Sequence, residues 1–412
     1  MLKTLLTILC LHIAVTLRAQ VLISPQDSTI NQLPETVTPP DTPPADTAAA
    51  AAISQAKKSR DKNPSGIVPA VDLRALDGLF LGIGYKYVRP DSSERAHSIL
   101  QKVALLKNLN SEAVQAKYQG EWLSLFRSTD LIINAFADIK GNIINYFGRG
   151  NNTYFDQSTD FRRFYRVKFS LFQIDPAFRF NLSKSTSIAV GPSLQHFTFD
   201  PGDNNNRYIN SPQIIREYDY LQQDKTHGGL ALTFNVDKRD DVLLPTKGLF
   251  FSVRLHGYAG LNQYSGSYTQ AFPSLSVYTA LNKNRSWVLA NRMGAGFTAG
   301  APEFYQQAFL GSQDNLLGYR KFRFAGDHLW YNNLETRITL LNLEGKRVSG
   351  KFGLLGFYDV GKVWTFQRMP GNLHHGYGGG LFVSPMNRFV ARAVAGFSSE
   401  RMQLTAAISQ RF

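Results

Sequence analysis

An alternation of apolar and polar residues with period two runs from Gly78 to the end of the chain, and few folds accommodate it. Between His328 and Leu341, Trp330, Leu334, Ile338 and Leu340 share one parity, and Asn333, Glu335, Arg337 and Thr339 share the other. That is a strand with one apolar and one polar face. Tyr165, Val167, Phe169 and Leu171 alternate likewise with Arg166, Lys168 and Ser170, and Leu249, Phe251, Val253 and Leu255 with Ser252, Arg254 and His256. Such patterns start near Leu79, His97, Ala113, Asp130, Arg162, Pro176, Ser187, Gly228, Gly248, Tyr268, Ser286, Leu329, Phe352, Gly376, Phe389 and Gln403. The stretch from Arg162 to Asn181 is read as two strands, which makes the total about 16, an even number as bacterial barrels require. Beyond the N-terminal leader, no apolar run approaches the roughly 20 residues of a membrane-spanning helix. In lipid, only helices and closed barrels satisfy every backbone group. The expected fold is therefore all-β, a transmembrane antiparallel β-barrel with apolar parities facing lipid and polar parities facing the lumen.

Composition agrees. Charged residues make up 18% of the chain and aromatics 12%, against roughly 25% charged in soluble domains. The net charge of +14 admits nucleic acid, an anionic membrane surface or a basic pore. The cations are interleaved within strands and do not form tails, which favours the pore; no nucleic-acid partner is expected. Trp287, Trp330, Trp364 and many Tyr and Phe near strand ends suit interfacial girdles.

Residues 1–19 read as a signal peptide: Lys3, an apolar run from Leu5 to Leu17, and Ala19 at the cut. Cys10, the only cysteine, lies inside it, so the mature chain has no disulfide or cysteine metal site. Leu9 stands where a lipoprotein needs a small residue, which argues against a lipid anchor. Residues 20–77 hold Pro39-Pro-Asp-Thr-Pro-Pro44 and the alanines 48–52. They read as a disordered periplasmic tether, and residues 78–412 as the barrel domain.

Four stretches carry a family resemblance. Gly311 to Tyr319, followed by Asn333-Leu-Glu-Thr-Arg337, resembles the signature loop and following strand of the BamA/TamA superfamily of outer-membrane barrels, the bacterial surface antigens. Asp237-Lys-Arg-Asp-Asp241 with Pro245-Thr-Lys-Gly248 is similar to its rim turn, Phe357-Tyr-Asp-Val-Gly361 to its F-x-D-x-G strand, and Leu404 to Phe412 to its terminal strand. The resemblance implies insertion or translocation of protein or lipid at the bacterial outer membrane, with outer-membrane lipid, the barrel assembly machinery and a polypeptide or lipid client as partners. It implies that the loop 301–327 enters the lumen and is locked there by Gly318, Tyr319, Arg320, Arg323, Glu335, Arg337 and Asp359. The family has Arg where this chain has Leu317, so Arg320 or Arg323 is expected to reach Glu335 and Asp359 instead. The rim turn comprises Asp237, Arg239, Asp240, Pro245 and Gly248. Ile408 and Phe412 form the expected assembly signal, interrupted by Gln410. No periplasmic domain of the POTRA type is expected, since residues 20–77 lack its alternating strands.

Other chemistry is not expected. The sequence has no P-loop, zinc spacing, nucleophile elbow or dinucleotide fingerprint, so no catalytic residue, cofactor or metal is predicted. The Asp cluster beside Pro245 and Gly248 reads as turn capping. Gly376-Tyr-Gly-Gly-Gly380 reads as a glycine-weakened strand, either curved near the barrel seam or closely approached by other backbone, and His374-His375 as a solvated loop end. The alternative function is a passive, anion-favouring pore or a structural barrel.

Overall fold

The computed structural model describes residues 22–23, 65–74, 76, 78–90, 98–126, 128–157, 160–218, 220–312, 314–344, 349–367, 371–387, 389–408 and 411. The leader, most of the tether, Gln313, Gln410 and Phe412 lie outside them. The barrel strands are β1 (Gly66–Arg74), β2 (Gly78–Arg89), β3 (Ile99–Asn108), β4 (Val114–Phe126), β5 (Thr129–Asn145), β6 (Arg166–Ser183), β7 (Thr186–Thr198), β8 (Lys225–Asp237), β9 (Gly248–Gly260), β10 (Tyr268–Ala280), β11 (Trp287–Gly300), β12 (His328–Glu344), β13 (Ser349–Trp364), β14 (His374–Pro385), β15 (Ala391–Phe397) and β16 (Gln403–Ala407). They follow sequence order as antiparallel neighbours, and the order returns from β16 to β1. Leu22–Ile23 lies parallel beside β1, opposite Ala70 and Val71.

The all-β barrel and its 16 antiparallel strands agree with the sequence reading, but two boundaries change. The barrel begins at Gly66, not Gly78: β1 lies within the stretch assigned to the tether. Its pattern is short and broken by Pro69, a residue that cannot donate to a ladder and so argues against a strand when read from sequence alone. The two strands expected between Arg162 and Asn181 are one, β6. The division rests on the even strand count of bacterial barrels, and Pro176 lies within the single strand. The chain passes it because Gly191 on β7 leaves room: a Cβ there would stand 1.8 Å from the Pro176 carbonyl oxygen. One strand missed and one divided cancel in the count.

Bacterial barrels carry long loops outside and short turns in the periplasm. The segments 146–165, 199–224 and 301–327 therefore mark the extracellular end, and 127–128, 184–185 and 238–247 lie at the periplasmic end. The outer wall shows an apolar belt that includes Leu81, Ile83, Phe178, Leu230, Leu255, Met293 and Leu381, all exposed.

An apolar cluster occupies part of the lumen. At its extracellular half, Phe304, Tyr305 and Phe309 from 301–327 pack on Ile144, Val167, Phe169, Leu171 and Phe197 of the wall and on Ile209, Ile214 and Tyr218 from 199–224. Phe197 and Tyr305 stack with ring centroids 4.6 Å apart. Val167, Phe169 and Leu171 thus face inward, and Arg166, Lys168 and Ser170 face outward. This reverses the expected lipid and lumen faces of the strand. A wall packed against an apolar plug is apolar inside, so its alternation carries the opposite sense from a wall facing water. Lower down β6 the lumenal parity turns polar at Gln173, Asp175 and Arg179, all buried.

Candidate functional site at the base of the lumenal loop

On β12 the alternation sends Asn333, Glu335 and Arg337 inward, where they are buried, and leaves Leu334, Ile338 and Leu340 exposed on the outer wall. On β13, Phe357 and Asp359 face the same lumen, and Asp359 stands directly opposite Asn333. The loop 301–327 folds back onto this wall. Its flanks, Ala308–Leu310 and Phe324–Gly326, pair as a small antiparallel ribbon, and Leu316, Leu317 and Tyr319 between them are buried.

The loop tip leaves backbone groups that need partners in a dry interior, and the wall supplies them. Leu317 N–H donates to Asp359 Oδ2 at 2.7 Å. Asn333 Nδ2 donates to the Asn315 carbonyl at 2.7 Å, and Asn315 itself braces Gly311 N–H (2.8 Å) and the Phe309 carbonyl (2.9 Å). Ser398 Oγ donates to the Gly318 carbonyl at 2.8 Å, and the Tyr319 hydroxyl meets Ser399 Oγ at 3.0 Å. Arg292 on β11 joins these groups: it donates to Asn333 Oδ1, to the Asp314 carbonyl and to the Arg411 carbonyl.

Gly376 is where strand and loop backbones meet, the second of the two readings open for this glycine run. A Cβ there would stand 1.8 Å from the Leu317 carbonyl oxygen. Gly376→Ala is expected to push the loop tip off Asp359 and cost about 1–3 kcal/mol by overpacking. Urea unfolding together with protease accessibility of 313–327 measures it; parental behaviour in both would show that the tip yields without strain.

The charges are distributed differently from expectation. Asp359 receives Arg411, from Nη1 at 2.9 Å and from Nη2 as well, with both side chains 0% exposed. Glu335 lies 3.6 Å from Arg337 and 3.7 Å from Arg392, beyond hydrogen-bond contact. Neither carboxylate meets Arg320 or Arg323. Beyond Tyr319 the chain has already turned toward the extracellular loops. There Arg323 donates to Glu400 (2.5 Å), Thr153 Oγ1 (2.7 Å) and the Thr153 carbonyl (2.7 Å). Its guanidinium covers Phe324 at 4.5 Å. Burial lowers the Arg323 pKa against the pull of Glu400, and burial raises the Glu400 carboxyl. Arg320 rests 4.5 Å over Phe161, and burial with nearby Arg162 lowers its pKa. Arg149 pairs with Asp327 at the loop's exit.

The rim turn 238–247 caps itself. Asp237 holds Arg239 (2.9 and 2.7 Å), Asp240 accepts Thr246 N–H (2.8 Å) and Lys247 N–H (3.0 Å), and Asp241 accepts Leu243 and Leu244 N–H. Gly248 adopts φ +104°, a region only glycine enters freely. The turn also reaches inward. Arg337 Nη2 donates to the Pro245 carbonyl at 2.8 Å, and Leu244 packs in one apolar cluster with Leu317, Leu355 and Phe357. Signature loop and rim turn thus touch across the base of the lumen.

His374 is not at a solvated end. It stacks on Phe324 at 3.8 Å and contacts the Asn151 carbonyl at 2.9 Å, whereas His375 points outward to the Tyr358 hydroxyl at 2.8 Å. Ile408 keeps the outward parity expected with Leu404. Arg292, Asn315 and Arg411 escaped the sequence reading. Arg411 had a signal: it alternates with the outward residues of the terminal strand and so belongs to the lumenal parity.

The Omp85 superfamily domain matches residues 123–391. No curated protein matches the chain. Among solved structures, the chain resembles BamA from Haemophilus ducreyi lacking POTRA domains 1–3, with 14% identity over 88% of this chain and 78% of that one and a TM-score of 0.56. It also resembles CdiB from Escherichia coli, with 12% identity over 84% and 67% of the two chains and a TM-score of 0.52. Such identities speak for the fold alone, whereas the domain match spans more than half of the sequence. The chain belongs to the Omp85 superfamily of outer-membrane barrels.

Proposed function

We propose that this barrel inserts or translocates a polypeptide or lipid client at the outer membrane, with the loop 301–327 as an internal element held by Asp359. One observation carries the reading. A single buried carboxylate binds both the loop tip, through Leu317 N–H, and the chain's end, through Arg411. Displacing the loop therefore disturbs the segment that follows the last strand, and loosening that segment frees the loop. A passive pore gains nothing from such coupling, and an aromatic plug opposes conduction. The family resemblance supports the same reading.

Depletion of the protein, followed by quantification of the outer-membrane proteome and of lipid asymmetry, tests it. Broad loss of other barrels is the result for an insertase, and loss of one surface protein the result for a dedicated translocator. Lost lipid asymmetry with an intact proteome is the result for a lipid client. No change in any of these would favour the passive barrel.

A further inference from the structure

We infer that the extracellular rim carries, on its outer side, a pocket for the phosphate of an outer-leaflet lipid headgroup. The pocket measures about 390 Å³ and is lined by Arg162, Arg163, Arg166, Lys168 and Arg207, with Asp160 the single carboxylate among its described lining residues. Five cations around one acid in a concave site repel one another, and an anion bound among them relieves that repulsion.

Arg207 shows the imbalance most clearly. It is 8% exposed. Its Nη1 donates to the Arg166 carbonyl at 2.9 Å, and its Nε is buried without a hydrogen-bond partner. Burial lowers its pKa, and nearby Arg163 and Arg166 lower it further. Asp203, the acid that offsets this, is shared with Lys140 at 3.7 Å. A guanidinium held among other cations at the wall of a cavity suits a bound oxyanion.

The position identifies the anion's source. Arg166 and Lys168 share a parity on β6 with Phe172, Phe178 and Phe180, which are 39%, 44% and 39% exposed on the lipid-facing wall. No irregularity interrupts β6 between them: the bulge in this pairing falls on β5, between Asp138 and Asn142. Lys168 thus stands roughly 13 Å of strand beyond Phe172, above the apolar belt at the extracellular end. Ile143, opposite Lys168 on β5, adds an apolar contact at the pocket's edge. Cations just above an apolar wall sit where anionic headgroups of the outer leaflet lie, and basic pockets at that level bind phosphorylated lipids. The inference rests on the barrel's place in the outer membrane and is independent of what it transports.

Native mass spectrometry of the full chain in detergent, titrated with diphosphorylated lipid A, tests the site. Retention of lipid A is expected in the parent, with at least tenfold weaker binding of the dephosphorylated lipid. Two variants, Arg162→Gln with Arg163→Gln and Arg166→Gln with Arg207→Gln, are each expected to lose affinity at least tenfold. Arg162 and Arg163 are exposed, so if the second variant loses its heat-modifiable migration the first decides. Equal binding of the two lipids, or variants that bind like the parent, would overturn the site. Inorganic pyrophosphate bound as tightly as lipid A would assign the pocket to a free anion and overturn the lipid reading.

Discussion

Replacing Arg411 by alanine is expected to destabilise the barrel by about 3–5 kcal/mol and to release the loop tip. The estimate follows from breaking a buried ion pair by removing one partner, which strands the other charge. Asp359 is 0% exposed, and its remaining donor is Leu317 N–H. The buried carboxylate then draws in water, which weakens its hold on Leu317. Asp359→Ala takes the carboxylate away from Arg411. The double substitution Asp359→Leu with Arg411→Met removes both charges, and apolar replacement of a buried pair is often neutral or better. It should recover most of the stability while leaving Leu317 N–H without its acceptor. Stability and loop protection thus separate: the double variant unfolds like the parent in urea but loses protease resistance within 313–327. A single variant as stable as the parent would mean that the pair's attraction only matches its desolvation. Full protection in the double variant would show that Asn333 and Ser398 hold the tip alone.

What the sequence disclosed followed from periodicity, and what it hid followed from long-range contacts. The parity of β12 placed Asn333, Glu335 and Arg337 inside without any knowledge of their partners, because period two fixes faces directly. The same rule misassigned β6. Which parity is lumenal depends on what fills the lumen, and the aromatic plug that makes Val167 and Phe169 lumenal comes from Phe304 and Tyr305, far along the chain. The carboxylates of the candidate lock were legible as Glu335 and Asp359, whereas their cations were not. Proximity in sequence pointed to Arg320 and Arg323, but the tight turn after Tyr319 carries those residues to Phe161 and Glu400. Arg411 and Arg392 reach the acids across the sheet. The tether hid β1 because a short strand with a proline differs little in composition from a disordered linker.

Replacing 302–326 by a short glycine–serine linker is expected to turn a barrel of small, flickering currents into a steady anion-selective channel. The ends permit it, since Phe297 on β11 stands opposite His328 on β12. A barrel of about 16 strands is wide enough for an aqueous channel, and here Phe304, Tyr305 and Phe309 take up space inside it. The selectivity follows from the acid that the deletion removes from beside Lys225. Lys225, buried in the wall, pairs with Glu303 at 2.9 Å; without the loop it lines the lumen with that carboxylate gone. Arg179 keeps Asp130 at 2.7 Å, and Arg411 keeps Asp359 at 2.9 Å, so those pairs stay neutral. Arg166 and Lys168 face outward and contribute little to the lumenal field. The segment takes out Arg320, Lys321 and Arg323 as well as Glu303 and Asp314, so the anion preference is local to Lys225, whose charge raises anion concentration beside it between low-dielectric walls. Planar-bilayer recording should give a conductance several-fold above the parent's, with a reversal potential in a salt gradient shifted toward chloride. Lys225→Gln in the deleted barrel should reduce that shift without closing the channel. Equal conductance in two barrels that both show heat-modifiable migration would mean that the loop does not obstruct the lumen, and would return the passive pore to first place.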